Sequence, residues 1–161
     1  IFGLRPEAFG YKVLRALLDQ TPNVIAMKED ITGEFARLSA LMVHKRWAVF
    51  SGGGLRNHIN MLPYGCDGFM DRHMNFAPWV SQRYWAAIQK SDMPAALKVI
   101  EEIEMPLEEH MATYPGGRDA AVHGLMEIAG VCGRWRKPPY YSLSDAEMAK
   151  LTDFAKTLQL F

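Results

Sequence analysis

No apolar run in this sequence of 161 residues approaches the roughly 18 residues that a membrane-spanning helix needs, and no basic start leads into a short apolar stretch. The chain therefore reads as soluble, unexported and without a membrane partner. A surplus of one charge is also missing. Lysine plus arginine and aspartate plus glutamate are equal at 18 each, so no net field recruits nucleic acid or an acidic membrane surface. Cysteine is scarce: Cys66 and Cys132 lie far apart and form no CxxC, which excludes the usual zinc spacing and a disulfide framework and leaves the cytoplasm as the expected compartment. There is no internal repeat and no low-complexity segment. An initiator methionine is lacking too, since the chain opens at "IFGLRPEAFG", and we expect residues ahead of Ile1.

What is present is enough apolar material, 49% of residues, for a core. From Pro6 to about Gln20, Phe9, Val13, Leu14, Leu17 and Leu18 repeat at helical spacing, with proline suited to the first turn. After the turn "TPN", the short apolar run Val24 to Met27 predicts a buried strand ending at Lys28. "TGEFARLSALMVHKR" predicts a second helix with Phe35, Leu38, Leu41 and Met42 on one face and basic residues in its last turn. "WAVFSGGG" is a second strand stopped by glycines, "RNHINMLPYG" a short helix, and "CDGFMD" a third brief strand. Pro78 opens a helix running to about Lys90. Such alternation predicts βα units around a parallel sheet, because parallel strands need crossover connections. Beyond Ser91 the pattern is helical only: Pro94 to Met111 with a kink at Pro106, Asp119 to Ala129, and Asp145 to Leu158 behind the N-cap Ser144. A boundary near residue 92 separates the two characters.

In a parallel α/β sheet, ligands bind at the carboxyl ends of the strands. Lys28, the glycines Gly52, Gly53 and Gly54, and Asp71 all fall there, supplying an amine, a bare backbone and a polar cluster to one rim. Each has a structural alternative. A strand-end lysine can be a solvated or salt-bridged side chain. "SGGG" lacks both the GxGxxG spacing and the Walker lysine, so it reads as turn chemistry before it reads as a phosphate cradle. "DRHMN", Asp71 to Asn75, offers an acid and a histidine for base or metal chemistry, but no third ligand is spaced to join them, and no metal is expected. His44, His58, His110 and His123 read as surface or packing residues.

Taken in order, "PNVIAMKED", "FSGGG", "YGCDGFM", "NFAP" and "RKPPYYSLSDAEMAKL" resemble the carboxyl-terminal half of the dihydrodipicolinate synthase and N-acetylneuraminate lyase family. The resemblance spans nearly the whole chain. It implies a (β/α)8 barrel followed by a helical C-terminal domain, with residues 1–92 supplying about the last three strands and their helices and residues 93–161 the helical domain. It also implies a lyase or synthase in which Lys28 forms a Schiff base with pyruvate or a related 2-keto acid. Gly52 then stands where main chain lies near the keto acid, with Gly53 beside it, Met70 where main chain lines the same pocket, and Arg5 where some members hold a substrate carboxylate. No cofactor is implied, the ligands are a small 2-keto acid and an aldehyde, and family members are commonly tetramers, so a homo-oligomer is expected.

The implied chemistry accounts for the residue types. A neutral amine attacks the carbonyl, and the protonated imine draws electrons so that a bond beta to it breaks or forms through an enamine. Burial against Val24, Ile25 and Met27 would favour the neutral amine. The family's carboxylate-binding turn and catalytic tyrosine lie upstream of the lysine and are not in this sequence. Where the family usually has small or hydroxyl residues, this chain has Asp71, Arg72 and His73, which implies a different second substrate or an altered pocket. Two other readings stay open: a keto-sugar-acid dehydratase using the same imine, and a non-catalytic half-barrel acting as an assembly module. Three strands with open edges cannot close a barrel of eight, so the remainder is expected from residues outside this sequence or from another chain.

Overall fold

The structure, a computed structural model, describes residues 6–161. Packing divides the chain after Asp71 into two compact units. The last strand ends at Phe69, well ahead of residue 92, and by packing the helix opened by Pro78 belongs with the helices that follow it.

The first unit alternates as the pattern predicts: α1 (Pro6–Gln20), β1 (Ala26–Glu29), α2 (Glu34–Val43), β2 (Ala48–Ser51), α3 (Leu55–Met61), a 3-10 turn (Leu62–Tyr64) and β3 (Gly68–Phe69). The strands form a parallel sheet in the order β1-β2-β3, with Lys28 opposite Phe50 and Phe50 opposite Gly68. Helices cover one face. Ala36, Ala40, Val43, Trp47, Val49, Met61 and Cys66 form its core, and Leu14, Leu17, Leu18, Val24 and Met27 pack against it. Period-two alternation then sets Lys28 and Phe50 on the opposite face.

Two details differ from the sequence reading. The first strand begins at Ala26 and ends one residue past the lysine, at Glu29, and Ile25 is 77% exposed rather than buried. On α2 the buried face is Phe35, Ala36, Ser39, Ala40 and Val43, while Leu38 and Leu41 are 39% and 51% exposed. The large leucines are not the face markers because close approach of helix to sheet selects the small side chains of Ala36 and Ala40. The basic residues Lys45 and Arg46 also lie past the helix end rather than in its last turn.

The second unit is helical: a 3-10 turn (His73–Asn75), α4 (Pro78–Gln89), α5 (Met93–Val99), a π-helical stretch (Ile100–Glu104), α6 (Met105–Ala112), α7 (Gly117–Ile128) and α8 (Asp145–Thr157). α4 packs on α5, α6 on α7 and α7 on α8. Asp92 caps α5 by accepting the Ala95 N–H at 3.1 Å. Ser144 and Glu147 form a reciprocal capping box at α8. The kink expected at Pro106 is realised as the π stretch just before it. Proline has no N–H to continue the ladder, and the Met105 N–H instead reaches back to Ile100 O, widening the turn.

Among the described residues no helix is long and apolar enough to cross a membrane.

Candidate active site at the strand ends

Lys28 is the penultimate residue of β1. Because Met27 and Glu29 turn toward the helices, Lys28 stands on the bare face near the carboxyl edge of the sheet. Its Nζ pairs with Asp30 Oδ2, the side chains being 40% and 56% exposed. Val24, Ile25 and Met27 therefore do not desolvate the amine, contrary to the burial expected of them. Alternation turns Met27 to the other face, and Val24 and Ile25 precede the strand, Val24 packing into the helix-side core.

Beside the pair the next strand ends at Gly52. A methyl placed there would overlap Asp30 Oδ1, lie 2.8 Å from Asp30 Cγ and stand 3.1 Å from Lys28 Nζ. The absent side chain is thus what allows amine, carboxylate and backbone to meet. Gly52 is fixed on both sides, its N–H donating to Glu29 O at 2.7 Å and its carbonyl accepting from Asn57 Nδ2 at 2.6 Å. Gly53 and Gly54 follow with φ of +82° and +85°, a region that favours glycine, and lead into α3. Met70 continues β3, its N–H donating to Ser51 O at 2.8 Å, and its side chain is exposed.

Of the residues singled out in the sequence, the structure brings Lys28 and Gly52 together, with Gly53 adjoining. Met70 and Asp71 follow the end of β3, two strands from the lysine. Arg5 lies outside the described residues. Of the "DRH" cluster, Asp71 closes the first unit, while Arg72 and His73 open the helical one, where Arg72 meets Glu108 at 3.4 Å and buried His73 begins the 3-10 turn that precedes α4.

Two groups were not legible as site residues. Asp30 is one, because its meeting with the amine depends on how the chain leaves the strand. Glu29 is the other. It is buried on the helix side, accepts the Ile31 N–H at 2.6 Å, and its carboxyl is held above the usual carboxylate value, first by burial, with the Ile31 hydrogen bond opposing. An apolar cavity of ≈ 360 Å³ opens there between Phe9, Leu17, Phe35 and Ile31, with Glu29, Lys28 and Asp30 in its wall. Further along, fully buried His58 tilts its ring on Phe69 at 5.1 Å, and burial lowers its imidazole to about 4, so it is a neutral packing residue. No group of three potential metal ligands is found among the described residues.

Comparison with known proteins bears on the whole chain. A model of the Dihydrodipicolinate synthetase family matches residues 9–158. No protein of curated function matches. Among solved structures, the chain is similar to the E. coli K12 prophage protein YagE of the dihydrodipicolinic acid synthase family, solved in complex with pyruvate, at 21% identity and a TM-score of 0.77, covering 97% of this chain and 54% of that one. It is also similar to dihydrodipicolinate synthase from Aquifex aeolicus at 19% identity and a TM-score of 0.71, covering 93% of this chain and 50% of that one. Proteus mirabilis N-acetylneuraminate lyase gives 16% identity and a TM-score of 0.74, with coverage of 93% and 50%. The chain thus spans about half the length of the solved structures it matches, and they share its fold.

Proposed function

Because this chain belongs to the dihydrodipicolinate synthetase family, we propose that it carries the imine-forming lysine of a lyase or synthase acting on pyruvate or a related 2-keto acid. The observation that carries the reading is the placement of Lys28: an exposed amine near the carboxyl end of a parallel strand, on the face that helices leave bare, against a neighbouring strand end without a side chain. That one relative was solved with pyruvate and another is an N-acetylneuraminate lyase supports the substrate class.

In this reading the strands of the first unit are the last three of a (β/α)8 barrel, residues 1–92 belong to the barrel and residues 93–161 to a C-terminal helical domain, and the protein works as a homo-oligomer. The Lys28 amine attacks the ketone carbon, the carbonyl oxygen departs as water, and the protonated imine accepts the electron pair of a bond broken beta to it. Main chain at Gly52, Gly53 and Met70 holds the keto acid's carboxylate and carbonyl region, where a side chain would intrude. Arg5 and Asp71 contact substrate at its periphery, Asp71 bearing on the second substrate.

Borohydride reduction in the presence of pyruvate, followed by mass spectrometry of the peptide containing Lys28, tests the proposal. A reduced pyruvyl adduct on Lys28 is expected; a folded, intact sample with that lysine unmodified would sink it.

A further inference from the structure

We propose that Asn57 is a positioning residue for the Lys28 site: its buried amide fixes the Gly52–Gly53 peptide so that the carbonyl stays inside the fold and does not face the amine. The inference rests on reading Lys28 as the imine-forming residue. Three glycines in a row carry no side chain to set their own conformation, and Gly53 and Gly54 stand at φ of +82° and +85°. Something outside the run must hold it. Asn57, 4% exposed on α3, donates from Nδ2 to Gly52 O at 2.6 Å, while the Gly52 N–H is taken by Glu29 O at 2.7 Å. The same amide nitrogen lies 3.7 Å from Met61 Sδ, a weak acceptor that competes little for it.

The consequence follows from peptide geometry. The Gly52–Gly53 bond is trans, so the carbonyl of one residue and the N–H of the next point in opposite directions. With the carbonyl drawn in toward α3, the Gly53 N–H is turned away from that helix. A methyl on Gly52 would stand 3.1 Å from Lys28 Nζ, so this peptide borders the amine directly. Between two glycines the flipped orientation meets no Cβ clash. Flipped, the carbonyl oxygen would face the site, accept a hydrogen bond from the Lys28 ammonium and repel the carboxylate of a 2-keto acid. Both effects oppose the attack of a neutral amine on an anionic ketone. Asn57 suppresses them without touching the substrate.

The alternative is that Asn57 only ties α3 to the end of β2. The two roles read out differently. Loss of a tie lowers stability and leaves the site's response to substrate and pH as it was, whereas a misoriented peptide changes both.

Borohydride trapping at Lys28 should be followed against pyruvate concentration and against pH, below the melting temperature, in the full chain and in Asn57→Leu, Asn57→Ser and Asn57→Gln. In Asn57→Leu, which is close in size and lacks the donor, half-saturating pyruvate should rise about 10-fold, the worth of one hydrogen bond. The pH at which trapping sets in should also move upward, because the ammonium gains an acceptor. Asn57→Ser, whose hydroxyl is too short to reach Gly52, should do the same, and Asn57→Gln, which keeps the amide donor, should restore most of both. A folded Leu or Ser variant whose pyruvate dependence and pH profile match the parent's overturns the proposal while leaving Lys28 in place, however much lower it melts. Loss of folding in both variants would show a structural amide and overturn it too. A parent chain that forms no adduct overturns the Lys28 reading and this one with it.

Discussion

In the helical unit, Glu108 is buried and held by Arg118 Nε at 2.6 Å and by Arg72 at 3.4 Å, and buried Arg134 is held by Glu127 at 2.8 Å and by Asp145. Arg134 also lies over the Trp135 ring at 4.6 Å. In the sheet unit, by contrast, Lys28 and Asp30 meet on a face without a helical cover, both substantially open to water. A buried ion pair that loses one partner leaves an uncompensated charge, whereas an exposed pair costs little to break. The first arrangement spends its charges on holding helices together; the second leaves an amine and a carboxylate adjacent and accessible. That difference teaches which charges to test for chemistry and which for stability.

Chemistry and stability should separate most sharply at Lys28. Lys28→Arg keeps the cation and should abolish pyruvate trapping, while thermal melting stays within the small range of exposed substitutions, about 0.5 kcal/mol; a marked loss of stability would show that the amine is structural. On the helix-covered side of the same sheet the effects reverse. Trp47→Ala, which empties a fully buried ring position in the core, should cost about 3–5 kcal/mol in denaturant unfolding.

Acid should act on that covered side as well. Burial holds His58 at about 4 against an ordinary 6.5, so the unfolded chain binds a proton that the folded chain refuses between those values. The stability this supplies is complete above the unfolded value and is lost as pH falls toward 4, about 3 kcal/mol over the whole window. Glu29, whose folded carboxyl is raised, works in the opposite sense: its contribution is present at low pH and lost as pH rises through its folded value. Urea midpoints at successive pH values in the parent and in His58→Leu separate the two, the acid loss shrinking in the variant.

The smallest of these effects belongs to the helical unit. Arg134→Ala should cost about 2 kcal/mol, mostly from the charge-assisted hydrogen bonds to Glu127, since Asp145 is 93% exposed and its pairing is screened. Trapping at Lys28 should be unchanged, and a change in its rate would tie this charge cluster to the chemistry.

Much of the architecture is legible in the sequence because it rests on local rules. Pro6 and Pro78 mark the helix starts as read, the Ser144 capping box starts α8 where expected, and the glycines after β2 stop that strand. The family is readable from short motifs around Lys28 and Gly52, and the family model supports it. The sequence misleads where a face has to be chosen. Leu38 and Leu41 mark the wrong side of α2, since size is a poor guide to burial where close packing on the sheet requires Ala36 and Ala40. Lys28 reads as sitting among Val24, Ile25 and Met27, although strand alternation sends it away from Met27.

By itself the sequence determined the alternation of helices and strands, their punctuation by proline and glycine, and a lysine near the end of a strand, because propensity, capping and turn chemistry act over a few residues. Only the tertiary structure decided that Asp30 meets the Lys28 amine in the space left by Gly52 while Glu29 is buried on the other face. Which side of a strand is covered, and which side chains converge across neighbouring strands, depend on residues more than twenty positions apart packing into one layer.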